Sequence, residues 1–156
     1  MTIKARLAEL GIALPKAAAP VASYVPVVVA GDLIHVSGQL PFDGNGLITG
    51  RLGEDVGLDR GIAAARACGL MIVSQLEAAQ IPLDRVARIV KLAVFVNSTP
   101  DFIDQPKVAN GASDLMVSIF GESGRHARSA VGVASLPLGA AVEIEAVVQL
   151  SPIPTA

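Results

Sequence analysis

The chain has 156 residues and a formal net charge of −2, which suits one domain built around one core. Charged residues make up 17% of it and aromatic residues 3%, so neither a basic patch nor a stacking platform for nucleic acid is expected. Hydrophobic residues make up 52% of the chain, which favours exposed apolar surface of the kind that marks interfaces, and we therefore predict a homo-oligomer.

The amino terminus predicts a short surface helix followed by a linker. Ile3 and Leu7 fall on one helical face, with Thr2 as the candidate N-cap and Gly11 as the C-terminal stop. Residues 14–20 have the composition of a linker.

A hairpin is predicted next. The run 17–30 is apolar, but two prolines interrupt it and it is shorter than the ~20 residues that a membrane helix needs, so no membrane partner is expected. Residues 25–30 and 33–38 are rich in β-forming residues and flank the turn Gly31-Asp32. The Gly-rich residues 41–50 are predicted as a loop, because no lysine of a phosphate-binding loop follows them.

The middle of the chain predicts two helices separated by one strand. Residues 58–80 carry an apolar stripe rich in Ala and Gly, which permits close packing. Cys68 lies in this helix as a small packing residue, and a single cysteine excludes an internal disulfide, which suits the cytoplasm. Residues 86–97 predict a strand covered on both faces, and residues 101–120 a helix with Pro106 in its first turn.

Two strands joined by a turn end the chain, at residues 128–134 and 142–150. Because side chains alternate between faces, Arg128 is the only long side chain on a face of tiny residues, and a small anion could fill the space above it. Glu143 and Glu145 share one face of the second strand. Either carboxylate could instead form an ion pair with Arg128, and alternation alone does not choose between these interpretations.

The predicted order is two strands, a helix, a strand, a helix and two strands, which is an α+β arrangement. Two helices among mostly antiparallel strands would lie on one face of a single sheet. The other face would then be buried by association with further copies of the chain.

The last strands also carry a resemblance. The segment HARSAVGVASLP, residues 126–137, followed by VEIEAVV, residues 142–148, resembles the signature of the RidA family, also called the YjgF family. Further pieces fit it in order, namely Tyr24 upstream of Ser37-Gly38-Gln39, the strand at 90–96, and Val108-Ala109-Asn110. The amino-terminal extension and residues 110–132 resemble a longer branch of the family rather than its deaminases.

This resemblance covers roughly residues 20–150 and implies the chorismate-mutase-like fold and a barrel-like homotrimer. It divides the chain into an amino-terminal extension with a short helix (1–19), one domain (20–150) and a tail (151–156). It also implies a reaction that needs no cofactor and no metal; the two histidines, His35 and His126, lack metal-ligand spacing.

By the same resemblance, Arg128 binds the carboxylate of the substrate, and Glu143 acts as a general base beside the reacting water. The substrate-binding candidates are Tyr24, Ser37, Gly38, Asn110 and Ala130. Ala130 departs from the family pattern, because the deaminase-type members have a cysteine two residues after the arginine.

The leading hypothesis is therefore a cytoplasmic trimer that binds a small 2-imino or 2-keto acid in clefts between subunits. Its activity would be hydrolysis of 2-enamine or 2-imine acids to 2-keto acids and ammonia. A non-catalytic ligand-binding or regulatory trimer with the same pocket is the alternative, which Ala130 favours. Ribonuclease activity, which older family names suggest, agrees least with the acidic composition.

Overall fold

The computed structural model describes residues 1–20 and 23–152. Residues 153–156 of the predicted tail, and Val21 and Ala22 of the apolar run, lie outside the described residues. Within the described ranges the α-helices are α1 (Ile3–Glu9), α2 (Leu58–Ala78) and α3 (Gln105–Phe120). The strands are β1 (Val27–Ala30), β2 (Leu33–Gln39), β3 (Phe42–Asp43), β4 (Gly46–Leu47), β5 (Val86–Asn97), β6 (Ala127–Val133) and β7 (Val142–Leu150).

Five strands form one sheet in the order β1-β2-β7-β5-β6. Three of its four pairings are antiparallel, and only β5 and β6 run parallel, joined by α3 as the crossover. The predicted α+β class, with helices on a mostly antiparallel sheet, is confirmed. Strands β3 and β4 form a separate two-residue hairpin where only a loop was predicted, because so short a ladder leaves no periodic pattern in the sequence.

The prediction that the last two strands are neighbours is wrong. Strand β5 lies between β6 and β7 and pairs with both. The turn at residues 136–139 therefore does not close a hairpin but leads across one intervening strand. Local turn chemistry could not reveal this, because β5 is inserted from a distant part of the chain.

The helices cover one face of the sheet, α2 over β2 and β7, and α3 over β5 and β6. Alternate strand residues on this face are almost inaccessible to solvent, as Ile34, Leu92 and Ile144 show. The core is therefore a single layer between the helices and the sheet.

Glycines let the two long helices approach each other closely. At Gly111 in α3, an added Cβ atom would collide with the carbonyl oxygen of Ile62 in α2. At Gly69 in α2, it would lie 2.9 Å from a methyl group of Leu115. The Ala- and Gly-rich stripe of the sequence thus serves helix-to-helix as well as helix-to-sheet packing.

The amino-terminal helix is attached to this body. Thr2 caps it by accepting a hydrogen bond from the Ala5 amide at 3.2 Å, as the sequence predicts. Leu7 is buried, and Arg6 Nε donates to the Ser118 carbonyl in α3 at 2.9 Å. The division into an extension and a domain at residue 20 stays a prediction.

The second face of the sheet is open in the single chain. Val28 on β1 is 49% exposed and Val131 on β6 is 46% exposed, and both lie on the two edge strands. None of the described helices is both long and apolar enough to span a bilayer.

The close approach at Gly111 can be tested by Gly111→Ala. Helix propensity alone would stabilise the protein by about 1 kcal/mol, whereas the collision with Ile62 costs about 1–3 kcal/mol. We expect a net loss of unfolding free energy of up to about 2 kcal/mol in urea titrations, because the obstructing atom belongs to the backbone and cannot move aside easily.

Gly44→Ala is the control, since nothing lies within 4 Å of a Cβ atom there. A stabilised Gly111→Ala protein would show that the helices are not in backbone contact at this position.

Candidate ligand-binding and catalytic site

Arg128 lies on the helix-covered side of the sheet. Its register partner on β5 is Leu92, whose partner on β7 is Ala146, and both are buried under the helices. The Arg128 guanidinium reaches α3, where Nη1 donates to Asn110 Oδ1 at 2.8 Å and to Ser113 Oγ at 3.1 Å. The edge position of β6 keeps this side chain partly accessible.

Glu143 lies on the opposite, open side. It shares a row with Phe95 of β5, which pairs in turn with Val131 of β6. A Cβ atom at Gly38 would collide with the Glu143 carboxylate, so position 38 must be glycine for the carboxylate to sit there. Burial raises the pKa of Glu143 above its ordinary value of 4.5, and repulsion from Glu145 raises it further.

Arg128 and Glu143 therefore do not meet within one chain. Their strands are two spacings apart, about 10 Å, and the side chains leave opposite faces of the sheet. Glu145 lies on the same open face as Glu143, in the row of Ala93. Among the described residues no ion pair joins Arg128 to a carboxylate, so the ion-pair interpretation is wrong and the guanidinium is held by neutral partners.

Three of the predicted binding residues line one small cavity of about 130 Å³. These are Tyr24, Ser37 and Gly38, and the same Gly38 touches Glu143. Tyr24 is 52% exposed at the rim. These three residues and Glu143 therefore form one group, separate from Arg128, which we call the Glu143 group (Tyr24, Ser37, Gly38 and Glu143).

Two buried glutamines support this group from behind. Gln39 Nε2 donates to the Ser37 carbonyl at 3.0 Å, and Gln75 Nε2 in α2 donates to Gln39 Oε1 at 3.2 Å. Gln75 also donates to the Ala18 carbonyl at 2.8 Å, which ties the amino-terminal segment to the cavity wall. Sequence reasoning missed Gln75, because an isolated polar residue in a helix carries no pattern.

The remaining predicted residues belong with Arg128. Asn110 is exposed on α3 and accepts the guanidinium hydrogen bond, and Ala130 follows Arg128 on the same face and packs against the core. We call Arg128, Asn110, Ser113 and His126 the Arg128 group. Ser113 was not predicted, although it lies three residues after Asn110 on one helix face. The sequence places His126 two residues before Arg128, where it could reach the rim of the site, but His126 was not counted among the site residues. It lies in the loop just before β6.

Cys68 takes no part in either group. The side chain is fully buried, and its Sγ donates to the Val142 carbonyl at 3.6 Å. Burial raises the pKa of the Cys68 thiol well above its usual value, and the charge of Glu143 adds to this, so the thiol is a packing group. Within residues 1–20 and 23–152, no three His, Cys, Asp or Glu side chains are grouped so that they could hold a metal ion.

Comparisons with known proteins identify the family of this chain. Residues 4–149 match the family model described as "YjgF/chorismate_mutase-like, putative endoribonuclease". The chain belongs to the YjgF/RidA family. The TCP17 protein of Trypanosoma cruzi is 59% identical over 96% of this chain and 94% of its own length. A 2-iminobutanoate/2-iminopropanoate deaminase of Salmonella typhimurium is 35% identical over 87% of this chain and 94% of its own.

Solved structures of the YjgF/RidA family agree with the fold. A protein of unknown function from Agrobacterium tumefaciens superposes with a TM-score of 0.88 at 46% identity, covering 96% of this chain and 92% of that one. E. coli TdcF, crystallised with bound serine, has a TM-score of 0.61 at 26% identity, covering 87% and 94%. The chorismate-mutase-like fold that the sequence predicted is confirmed.

The raised pKa of Glu143 makes a pH-dependent prediction. The folded state binds a proton at Glu143 more tightly than the unfolded state, so ionised Glu143 opposes folding at neutral pH. Glu143→Gln should increase the unfolding free energy at pH 7 by less than about 1 kcal/mol, since the side chain is only half buried. The gain should vanish when the pH falls below 4.5, the ordinary pKa that Glu143 has in the unfolded chain. Urea titrations at pH 7 and at a pH below 4.5 would measure the difference.

Glu77→Gln, at an exposed position of α2, is the control and should change stability little at either pH. A gain that persists in acid would contradict the assignment of the raised pKa to Glu143.

Proposed function

We propose that the protein binds small 2-imino and 2-keto carboxylates through Arg128 and hydrolyses the imino acids to 2-keto acids and ammonia. The observation that carries this proposal is a guanidinium held by neutral groups, with no carboxylate partner in the described part of the chain. A guanidinium without a carboxylate partner presents a planar fork of N–H donors, and this fork matches the two oxygens of a carboxylate ligand. The deaminase name of the Salmonella relative and the serine bound to TdcF support the ligand class.

The two residue groups support a site shared between protomers. The Arg128 group lies on β6 and α3 at one end of the strand order, and the Glu143 group lies around β2 and β7, towards the other end. If each edge of the sheet meets the opposite edge of the next copy, the contact closes into a ring and protects both edges. Three copies in such a ring would also cover the open face, and we propose this homotrimer.

In that assembly the ligand lies between opposite charges. Its carboxylate binds Arg128 of one protomer, and its C2 carbon faces Glu143 of the next. A protonated imine is electrophilic at C2, so water adds there while Glu143 accepts a proton from the water, which is general-base catalysis worth about 10²–10⁴-fold. That proton then passes from Glu143 to nitrogen. As the C–N bond breaks and ammonia leaves, Glu143 accepts the proton of the C2 hydroxyl and the C2 carbonyl forms.

The raised pKa of Glu143 suits this role. A carboxylate with a raised pKa is a stronger base once it is ionised, so it takes the proton from the attacking water more readily. The cavity of Tyr24, Ser37 and Gly38 next to this carboxylate would then receive the remainder of the substrate.

A non-catalytic binding protein is the second candidate, and one observation favours it. Ala130 lies two residues after Arg128 on the same face of the strand. At this position the deaminase-type members of the family have a cysteine. Ammonia release separates the two candidates, because a binding protein would take up pyruvate yet release no ammonia above background from 2-iminopropanoate generated in situ.

Arg128→Ala should abolish pyruvate binding in calorimetry, because the ligand carboxylate loses its only fork of donors. Arg125→Ala is the matched control, since Arg125 lies three residues away, is exposed and, among the residues that the structure describes, forms its ion pair with Glu122, at 3.0 Å. Unchanged affinity in Arg128→Ala, with the fold intact by circular dichroism, would reject the role of Arg128.

The shared site can be tested by mixing two inactive variants, Arg128→Ala and Glu143→Gln. If each site takes Arg128 from one protomer and Glu143 from the next, random reassembly at equal ratio leaves about a quarter of the sites with both native residues. We expect about a quarter of the wild-type ammonia release after co-refolding, and none from either variant alone. Absence of recovery in mixed trimers would contradict a site that takes Arg128 from one protomer and Glu143 from the next.

A further inference from the structure

The Nη1 corner of Arg128 is fully occupied. Its two hydrogens are donated to Asn110 Oδ1 at 2.8 Å and to Ser113 Oγ at 3.1 Å. For Nε and Nη2 of the same guanidinium, the described residues provide no acceptor. The guanidinium therefore has one edge tied to α3 and another edge, Nε with Nη2, whose donors remain available.

Ser113 is in turn held by His126. The Ser113 Oγ lies 2.9 Å from His126 Nε2, and His126 Nδ1 lies 2.6 Å from the Gly124 carbonyl oxygen. A carbonyl only accepts, so Nδ1 carries the hydrogen, and in the neutral ring Nε2 must then accept the hydroxyl hydrogen of Ser113. The lone pairs of Ser113 are thereby turned towards Arg128.

The hydrogen bonds form a directed chain from Arg128 to Ser113, His126 and Gly124. Donation of the Ser113 hydrogen to the imidazole makes its oxygen a better acceptor for the guanidinium. The backbone is closely packed at two points along this chain of bonds: a Cβ atom at Gly124 would collide with the Met116 backbone, and one at Gly111, two residues before Ser113, with the backbone of α2.

We infer that Ser113 and His126 are positioning residues, which hold the Nη1 corner of Arg128 so that its Nε–Nη2 edge is presented to the ligand carboxylate. This inference rests on the proposed role of Arg128 in binding that carboxylate. It assigns the ligand a side-on, bidentate contact with Nε and Nη2, the geometry in which a guanidinium pairs with a planar carboxylate.

Pyruvate binding by calorimetry tests the serine. Loss of one hydrogen bond to a charged group should raise the Kd of Ser113→Ala about tenfold, whereas Ser113→Thr keeps the hydroxyl and should stay near wild type. Ser118→Ala is the matched control, because Ser118 is on the same helix and its hydroxyl donates to the Asp114 carbonyl of that helix, at 2.8 Å, rather than to any group near Arg128 in the described part of the chain. Wild-type affinity in Ser113→Ala would overturn the inference.

The histidine is tested by a pair of substitutions. In His126→Gln the amide oxygen can replace Nε2 as the acceptor for Ser113, and in His126→Leu nothing can. We expect His126→Gln to bind pyruvate within about twofold of wild type and His126→Leu about threefold or more weakly, since the serine loses its orienting partner. Equal affinities in the two variants would show that His126 does not act through Ser113.

A nitrogen-15 NMR measurement without ligand separates this inference from the proposed function. Rotation about the Nε–Cζ bond exchanges Nη1 with Nη2, and the two hydrogen bonds that hold Nη1 oppose this rotation. The Nη1 and Nη2 signals of Arg128 should therefore be resolved in the wild type and merge in Ser113→Ala. If the wild type fails to bind pyruvate while the signals behave in this way, the proposed function fails and the positioning role stands. Signals that are merged in the wild type, or unchanged in Ser113→Ala, overturn the positioning role whatever binds.

Discussion

The alternation of side chains across the five-stranded sheet is the constraint on which the candidate site depends. Because β5 separates β6 from β7, and because the register places Arg128 in a row with buried Leu92, the arginine leaves the sheet on the helix side. Glu143, in the row of Phe95, leaves it on the open side. The cation and the carboxylate are therefore kept apart in one chain, although only 14 positions separate them in the sequence.

This separation leaves two charges without an opposite partner among the described residues. Arg128 is bonded to neutral oxygens, and Glu143 has a raised pKa that reflects burial and the repulsion of Glu145. A protonated 2-imino acid carries a carboxylate and a cationic nitrogen two bonds away from it. Such a ligand, bound between two copies of the chain, would complement both charges at once, which neither single residue group can do.

Close helix packing gives the arginine its fixed surroundings. Gly111 allows α3 to approach the backbone of α2, so that the next turn of α3 can present Ser113 beside Asn110 over strand β6. A bulkier residue at this contact would move α3 and, with it, both acceptors of the guanidinium. Fold stability and the geometry of the Arg128 group therefore depend on the same contact.

Much of the architecture follows from local sequence patterns. Strands β5 and β7 have the predicted ends, and α3 carries Pro106 in its first turn, as predicted. Gly121 forms the C-cap of α3 with a φ angle of +59°, a conformation that glycine adopts readily at a helix end. These features depend on neighbouring residues, on the alternation of side chains along a strand and on the backbone freedom of glycine, all of which can be inferred from the sequence. Three of the candidate residues, Arg128, Ala130 and Glu143, were likewise found from one short stretch of the chain, and the others from separate short pieces that fit the same resemblance in order.

The sequence by itself determined which residue types are available and which strand face each one shares with its neighbours. Only the tertiary structure decided which strands are adjacent and which face meets the helices, because strand order depends on contacts between segments far apart in the chain. That order excluded the Arg128–Glu143 ion pair and divided the candidates into two groups. The tertiary structure also brought Ser113 and His126 to the arginine. The sequence does not reveal this hydrogen-bond chain, because it crosses a helix, a loop and a strand and leaves no pattern in any one of them.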